Sequence, residues 1–184
     1  MEDLYDGLRK ILRHLGEDPN REGLLDTPKR VVKAYEEMLS GYKQDPSAIL
    51  QRVFKEGIDY EQMIVVKNIP FVSMCEHHML AFKGIAHVGY LPNEAVVGLS
   101  KIPRVVDVFA KRLQVQERLT DQIADAIQDV LNPKGVGVII ESEHTCMTLR
   151  GAKKQGATMI TTALRGSFLF DEKHKQEFYA MIKG

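Results

Sequence analysis

The chain is poor in cysteine, carries no excess of either charge and contains no long apolar run. Each shortage excludes something. No stretch approaches the roughly 18 consecutive apolar residues of a membrane span, so a membrane-embedded protein is not expected. Lysine plus arginine and aspartate plus glutamate number 25 each, for a formal net charge of zero. That balance argues against binding nucleic acid through bulk charge, because domains that do so are usually strongly basic. A small anionic ligand remains open, since it needs only a local basic cluster. Near-zero charge also leaves little self-repulsion to oppose association of subunits. The opening segment, MEDLYDGLRKILRHLGED, mixes both charge signs through its apolar positions. It has neither a secretory h-region nor a transit-peptide bias, which predicts a cytoplasmic protein. In that compartment Cys75 and Cys146, the only two cysteines, are not expected to hold a lasting disulfide. Metal binding or catalysis gains weight as a result.

What is present reads as a soluble globular chain of 184 residues, most simply one domain. Leu4, Leu8, Ile11, Leu12 and Leu15 fall at helical spacing before Gly16. In TPKRVVKAYEEML, Thr27 is a plausible N-cap, with Pro28 at the first helical position. A short helix is expected after Pro46. MIVVKNIPFVSM and LAFKGIAHVGYLP read as strands joined by CEHHM. SKIPRVVDVFAKRL and QVQERLTDQIADAIQDVL read as helices, the first starting at a Ser100 N-cap. GVGVIIESEHTCMTL and ATMITTALRGSFLF read as further strands, and DEKHKQEFYAMI as a closing helix. Paired strands with short connections predict an α+β fold: a four-stranded antiparallel sheet with helices on one face. A sheet covered on one side leaves a face and two edges, which predicts that oligomerisation covers them.

The two cysteines each lie beside histidines. Cys75 and His78 are three apart in CEHH, a spacing that lets one short turn offer a thiolate and an imidazole to a single ion. Alone the pair is a weak signal, because free cysteine also packs as a small hydrophobe. Cys146 sits in SEHTCM, two residues after His144. On a strand, that spacing puts both on one face. The candidate metal set is Cys75, His78 and Cys146, and two thiolates with one imidazole suit zinc. An open fourth position would make the site catalytic. A structural site would recruit His77, His144 or a glutamate instead, and spacing does not choose between them. In a catalytic site His77 and His144 are the proton-handling candidates, or groups that orient a ligand.

A basic set surrounds these motifs in the sequence. Ser100, Lys101 and Arg104 fall on one helix start, where the free N–H groups and the dipole favour an anion. Arg150 follows Cys146 by four residues, and Arg30 and Lys33 are three apart. Singly they read as solvated surface; together they could clamp a triphosphate. Gln116 and Glu117 open a helix, where an acid is unremarkable but could also accept hydrogen bonds from a guanine edge.

In this order and spacing, CEHH, GLSKIPR, QVQERLT and EHTCMTLRG closely resemble GTP cyclohydrolase I, as does GEDPNREGLLDTPKRV. The resemblance implies the tunnelling fold, with residues 1–60 as an N-terminal helical segment and 61–184 as the catalytic domain, packed as one compact unit. It implies a toroidal homodecamer with active sites at subunit interfaces. It implies conversion of GTP to 7,8-dihydroneopterin triphosphate and formate, with one zinc per subunit held by Cys75, His78 and Cys146. By motif, His77 and His144 do acid/base work and Glu117 anchors the guanine with Gln116 close by. Ser100, Lys101, Arg104 and Arg150 bind ribose and triphosphate, and Arg30 and Lys33 reach the phosphates of a neighbouring subunit. Leu113 and Ala81 stand where the family commonly has proline. A zinc-stabilised non-catalytic oligomer, and a related enzyme acting on a pterin or deazaguanine, are the alternatives.

Overall fold

The structure, a computed structural model, describes residues 1–54, 60 and 62–183. The boundary expected between residues 60 and 61 borders residues 55–59 and 61, which lie outside the described ones. The chain forms two compact units, Met1–Ser40 and Gly41–Gly184. In the first, helix α1 (Glu2–His14) packs with helix α2 (Thr27–Met38). Thr27, expected as N-cap, is the first helical residue; Asp26 takes the cap position without a side-chain bond.

The second unit opens with α3 (Pro46–Leu50), the short helix expected there, capped by Asp45, which accepts from the Ser47 N–H. Two small strands, β1 (Val53–Phe54) and β4 (Val96–Val97), pair antiparallel. The main sheet has five strands in the order β5-β2-β3-β6-β7. Its four long members are β2 (Ile64–Cys75), β3 (Ala81–Leu91), β6 (Gly135–His144) and β7 (Met159–Gly166), all antiparallel to their neighbours. The fifth is β5 (Leu113–Gln114), which runs parallel to the end of β2. It is too short to show a periodicity, so the expected four strands become five.

Helices α4 (Lys101–Ala110) and α5 (Gln116–Leu131) cover one face. Leu119, Ile123 and Ile127 on α5 are fully buried, each worth about 1.5–3 kcal/mol of transfer from water. They meet Val136, Val138 and Ile140 of β6, which alternate onto the same face. Asn132, left-handed at φ 43°, ends α5, and Pro133 cannot continue it.

The helices are not confined to one face. Side chains alternate, so Leu91, Ile139 and Leu164 point opposite to Tyr90, Ile140 and Ala163. There they pack with Phe168 and Phe178 from α7 (Ser167–Phe170) and α8 (Glu172–Lys183). Gly89 and Gly137 pair across β3 and β6, and a Cβ on either would lie 2.6 Å from a Phe178 ring atom. This paired gap lets α8 dock, and the hydrophobic pattern of β3 and β6 does not announce it. The strand expected to run through GSFLF stops at Gly166, where φ is 56° and an added Cβ would lie 2.4 Å from the Lys134 carbonyl oxygen, so a side chain is excluded. Farther along the α8 face of the sheet, Val72, Ile85 and Ile160 are exposed.

Candidate metal centre

Strand β2 ends on Cys75, and the next turn is a tight hairpin. The Cys75 N–H donates to the Leu80 carbonyl at 2.9 Å, and the Met79 N–H to the Cys75 carbonyl at 2.8 Å. Met79 sits at φ 52°, a conformation few side chains adopt. The Glu76 N–H donates to the Gln114 carbonyl at 3.1 Å, so β5 holds the loop from the side. The Glu76 carboxylate pairs with Arg118 of α5. Arg118 in turn donates to Gln114 Oε1 at 3.0 Å and to the Leu113 carbonyl at 3.1 Å. The Arg118 guanidinium holds the Glu76 carboxyl below its ordinary value. Glu76, which sequence reasoning leaves without a role, is the brace of the CEHH turn. Leu113 fits this frame: its N–H donates to the Tyr42 hydroxyl at 3.1 Å, a bond proline cannot make.

Cys146 arrives differently from the expectation. β6 ends at His144, and Thr145–Thr148 form one helical turn, α6. The Thr145 hydroxyl donates to the Ala81 carbonyl, tying this turn to the start of β3. His144 and Cys146 therefore do not share a strand face, because the backbone coils between them. The coil still delivers the sulfur: the ligand atoms of Cys75, His78 and Cys146 all lie within 4.8 Å of one another.

That spacing fits a metal. Sulfur at about 2.3 Å and nitrogen at about 2.0 Å from a tetrahedral zinc stand about 3.5 Å apart. Cys75 Sγ and His78 Nδ1 are 3.7 Å apart. Burial, and then Cys75, push the Cys146 thiol above its ordinary value. Two neighbouring sulfurs resist ionising together, and a cation between them removes the conflict. Cys75 is buried, Cys146 partly so, and His78 is exposed, leaving the group open on one side.

Around this group stand the other candidates. Arg150 Nη1 lies 3.3 Å from His78 Nε2. His77 is exposed, its Nε2 3.9 Å from Glu76 Oε1. His144 lies flat on buried Phe82, ring centroids 4.4 Å apart and planes 8° from parallel, because the two pair across β3 and β6. Burial holds its pKa below the ordinary value, with the Glu117 carboxylate opposing. His144 Nε2 is 2.9 Å from Gln116 Oε1. Gln116 is itself buried, and Glu117 beside it is exposed.

Ser100 occupies the cap position of α4, but its backbone is already helical (φ −68°, ψ −11°) and its hydroxyl makes no cap bond. Among the described residues the side chains of Lys101 and Arg104 make no hydrogen bond or ion pair. Arg30 and Lys33 are exposed on α2, in the Met1–Ser40 unit, with Arg30 Nη2 3.4 Å from Asp26 Oδ2. Sequence reasoning missed Arg118, Ser142 and Thr161, which touch Glu76 or Gln116 only through long-range pairing.

The family described as GTP cyclohydrolase I matches residues 5–183. The chain belongs to the GTP cyclohydrolase I family of enzymes. Among its relatives, GTP cyclohydrolase 1 of Carboxydothermus hydrogenoformans is 56% identical over 182 residues, covering 98% of this chain and 94% of the relative. GTP cyclohydrolase 1 of Chlorobaculum tepidum is 54% identical over 180 residues, covering 97% and 80%. An archaeosine synthase QueF-Like structure in the apo form aligns with a TM-score of 0.49 and 19% identity, over 59% of this chain and 97% of that one. A likeness so slight says nothing further about this member of the cyclohydrolase family. Among its described residues, no helix is long and apolar enough to cross a membrane.

Proposed function

We propose that this GTP cyclohydrolase I family member is a cytoplasmic, zinc-dependent enzyme that converts GTP and water to 7,8-dihydroneopterin triphosphate and formate. The observation that carries the reading is the Cys75, His78 and Cys146 group, open on one side and flanked by His144. Cys75, His78 and Cys146 would hold the ion. When bound, zinc lowers the pKa of water to about 7 and so supplies a nucleophile for the purine imidazole carbon.

The chain's own groups do the rest. Protonated His144 gives its proton to the adjacent purine nitrogen as the ring opens. His77, exposed on the same turn as His78, exchanges protons during hydrolysis of the formamide and rearrangement of the ribose. Glu117 accepts two hydrogen bonds from the guanine edge. Lys101 and Arg104, uncompensated on the first turn of α4, take the triphosphate together with Arg150 and the Ser100 hydroxyl. Formate leaves before the new six-membered ring closes.

In this reading the sheet is that of the tunnelling fold, and the subunits close into a toroidal homodecamer. Exposed Val72, Ile85 and Ile160 support a covered sheet face in that assembly. Active sites then lie at subunit interfaces, with Arg30 and Lys33 reaching phosphates bound by a neighbour.

The deciding experiment supplies GTP to purified, zinc-loaded protein. A pteridine fluorescent after oxidation, with formate released in step, is expected, together with about one zinc per chain. A metal-replete protein that leaves GTP untouched would overturn the reading.

A further inference from the structure

The side chain of Gln116 is 1% exposed and spends every polar atom inside the protein. Its amide nitrogen faces the Ile140 carbonyl at 3.1 Å, the Met159 carbonyl at 3.0 Å and Thr161 Oγ1 at 3.1 Å. Carbonyls only accept, so this end must be the NH2. Oε1 is then an acceptor. It takes the Ser142 hydroxyl proton at 2.6 Å and lies 2.9 Å from His144 Nε2. A nitrogen facing a pure acceptor must carry hydrogen.

The rest of the network locks the amide against a flip. Thr120 Oγ1 donates to the Gln116 carbonyl at 2.7 Å, so its lone pairs receive the Thr161 hydroxyl at 2.6 Å. Thr161 is left to accept from the Gln116 amide. Every hydroxyl proton has one place to go, and an inverted amide would set its NH2 against Ser142 and His144 while turning its oxygen onto two carbonyls.

We infer that Gln116 is a positioning residue that fixes neutral His144 in the Nε2–H tautomer. The other ring nitrogen, Nδ1, has no hydrogen-bond partner among the described residues. Nδ1 is therefore the bare nitrogen of the neutral ring, its lone pair free. With one face of the ring against Phe82 and Nε2 held by the amide, the imidazole has no free rotation. Gln116 acts on the reaction through His144 and makes no contact with the guanine. This role rests on the proposed proton transfer by His144; the tautomer itself does not.

The test uses zinc-loaded protein with ring-15N histidine, read by NMR without GTP above the histidine titration range. His144 signals are identified by their loss in His144→Gln. Wild-type protein should show hydrogen on Nε2 and a bare Nδ1. Gln116→Leu should mix the tautomers and lower kcat about 10–100-fold, the usual effect of removing an orienting partner, with the KM for GTP unchanged. Hydrogen on Nδ1 in the wild type overturns the inference without need of a variant. So does a Gln116→Leu protein whose tautomer is unchanged, or whose KM rises while kcat holds, since that is the signature of a lost guanine contact. Absence of any GTP turnover would sink the proposed function and leave the tautomer result standing.

Discussion

Replacing Gly137 with alanine tests how α8 is docked. The added Cβ would lie 2.6 Å from Phe178 Cε1 and 2.7 Å from Phe168 Cδ2. Both rings are fully buried, their centroids 5.3 Å apart, so neither has room to swing. Overpacking of this kind costs about 1–3 kcal/mol. Phe178→Ala removes the ring and leaves a cavity over the glycine pair, at about 3–5 kcal/mol. In the double variant the clash with Phe178 is gone and Phe168 can shift into the space the ring vacated, so most of the overpacking is relieved. The double variant should therefore be about 1 kcal/mol or more better than the sum of the singles, well beyond the roughly 0.5 kcal/mol scatter of independent sites. Urea unfolding of all four proteins measures this, with the slope held constant as a check on two-state behaviour. Gly137 lies seven residues along β6 from His144, about 23 Å at strand rise, so zinc content should not change. Additive costs would refute the wedge, and lost zinc would refute its separation from the metal group.

Cys146→Ser removes one of the three converging ligands and should abolish both zinc retention and GTP turnover while leaving the circular dichroism spectrum intact; full zinc content by atomic absorption would contradict the assigned set. Glu76→Gln unpairs Arg118 and loosens the CEHH turn, so zinc affinity in a competition titration should fall about 10–100-fold; unchanged affinity would reduce the brace to an ordinary surface pair. His87 accepts the Asn68 N–H at 3.4 Å, and burial, helped by Lys67, holds its pKa below the ordinary value. A histidine depressed in the folded state stabilises above its unfolded pKa of about 6.5 and loses that contribution as the pH falls. Urea midpoints should thus drop less between pH 7.5 and 5.5 in His87→Gln than in the wild type, and equal drops would refute the assignment.

Periodicity in the sequence was enough to show the four long strands, the buried stripe of α5 and the α+β class. A face that must be buried repeats at the period of its backbone, and that repeat survives in one dimension. The cysteine and histidine types likewise pointed to the three side chains that could hold a metal ion, since only a few side chains ligate one. Several features needed the folded chain. Cys146 meets Cys75 through a helical turn that ends β6 early, decided by where β6 runs out of partner and Thr145 bonds Ala81. The second helical face depends on two glycines 48 positions apart that become neighbours only in the β3–β6 register. The orientation of the Gln116 amide, and with it the proton on His144, depends on carbonyls from β6 and β7 converging on one buried atom. Hydrogen bonds between distant segments leave no periodic trace. They follow from register, and register is set by the packing of the whole sheet.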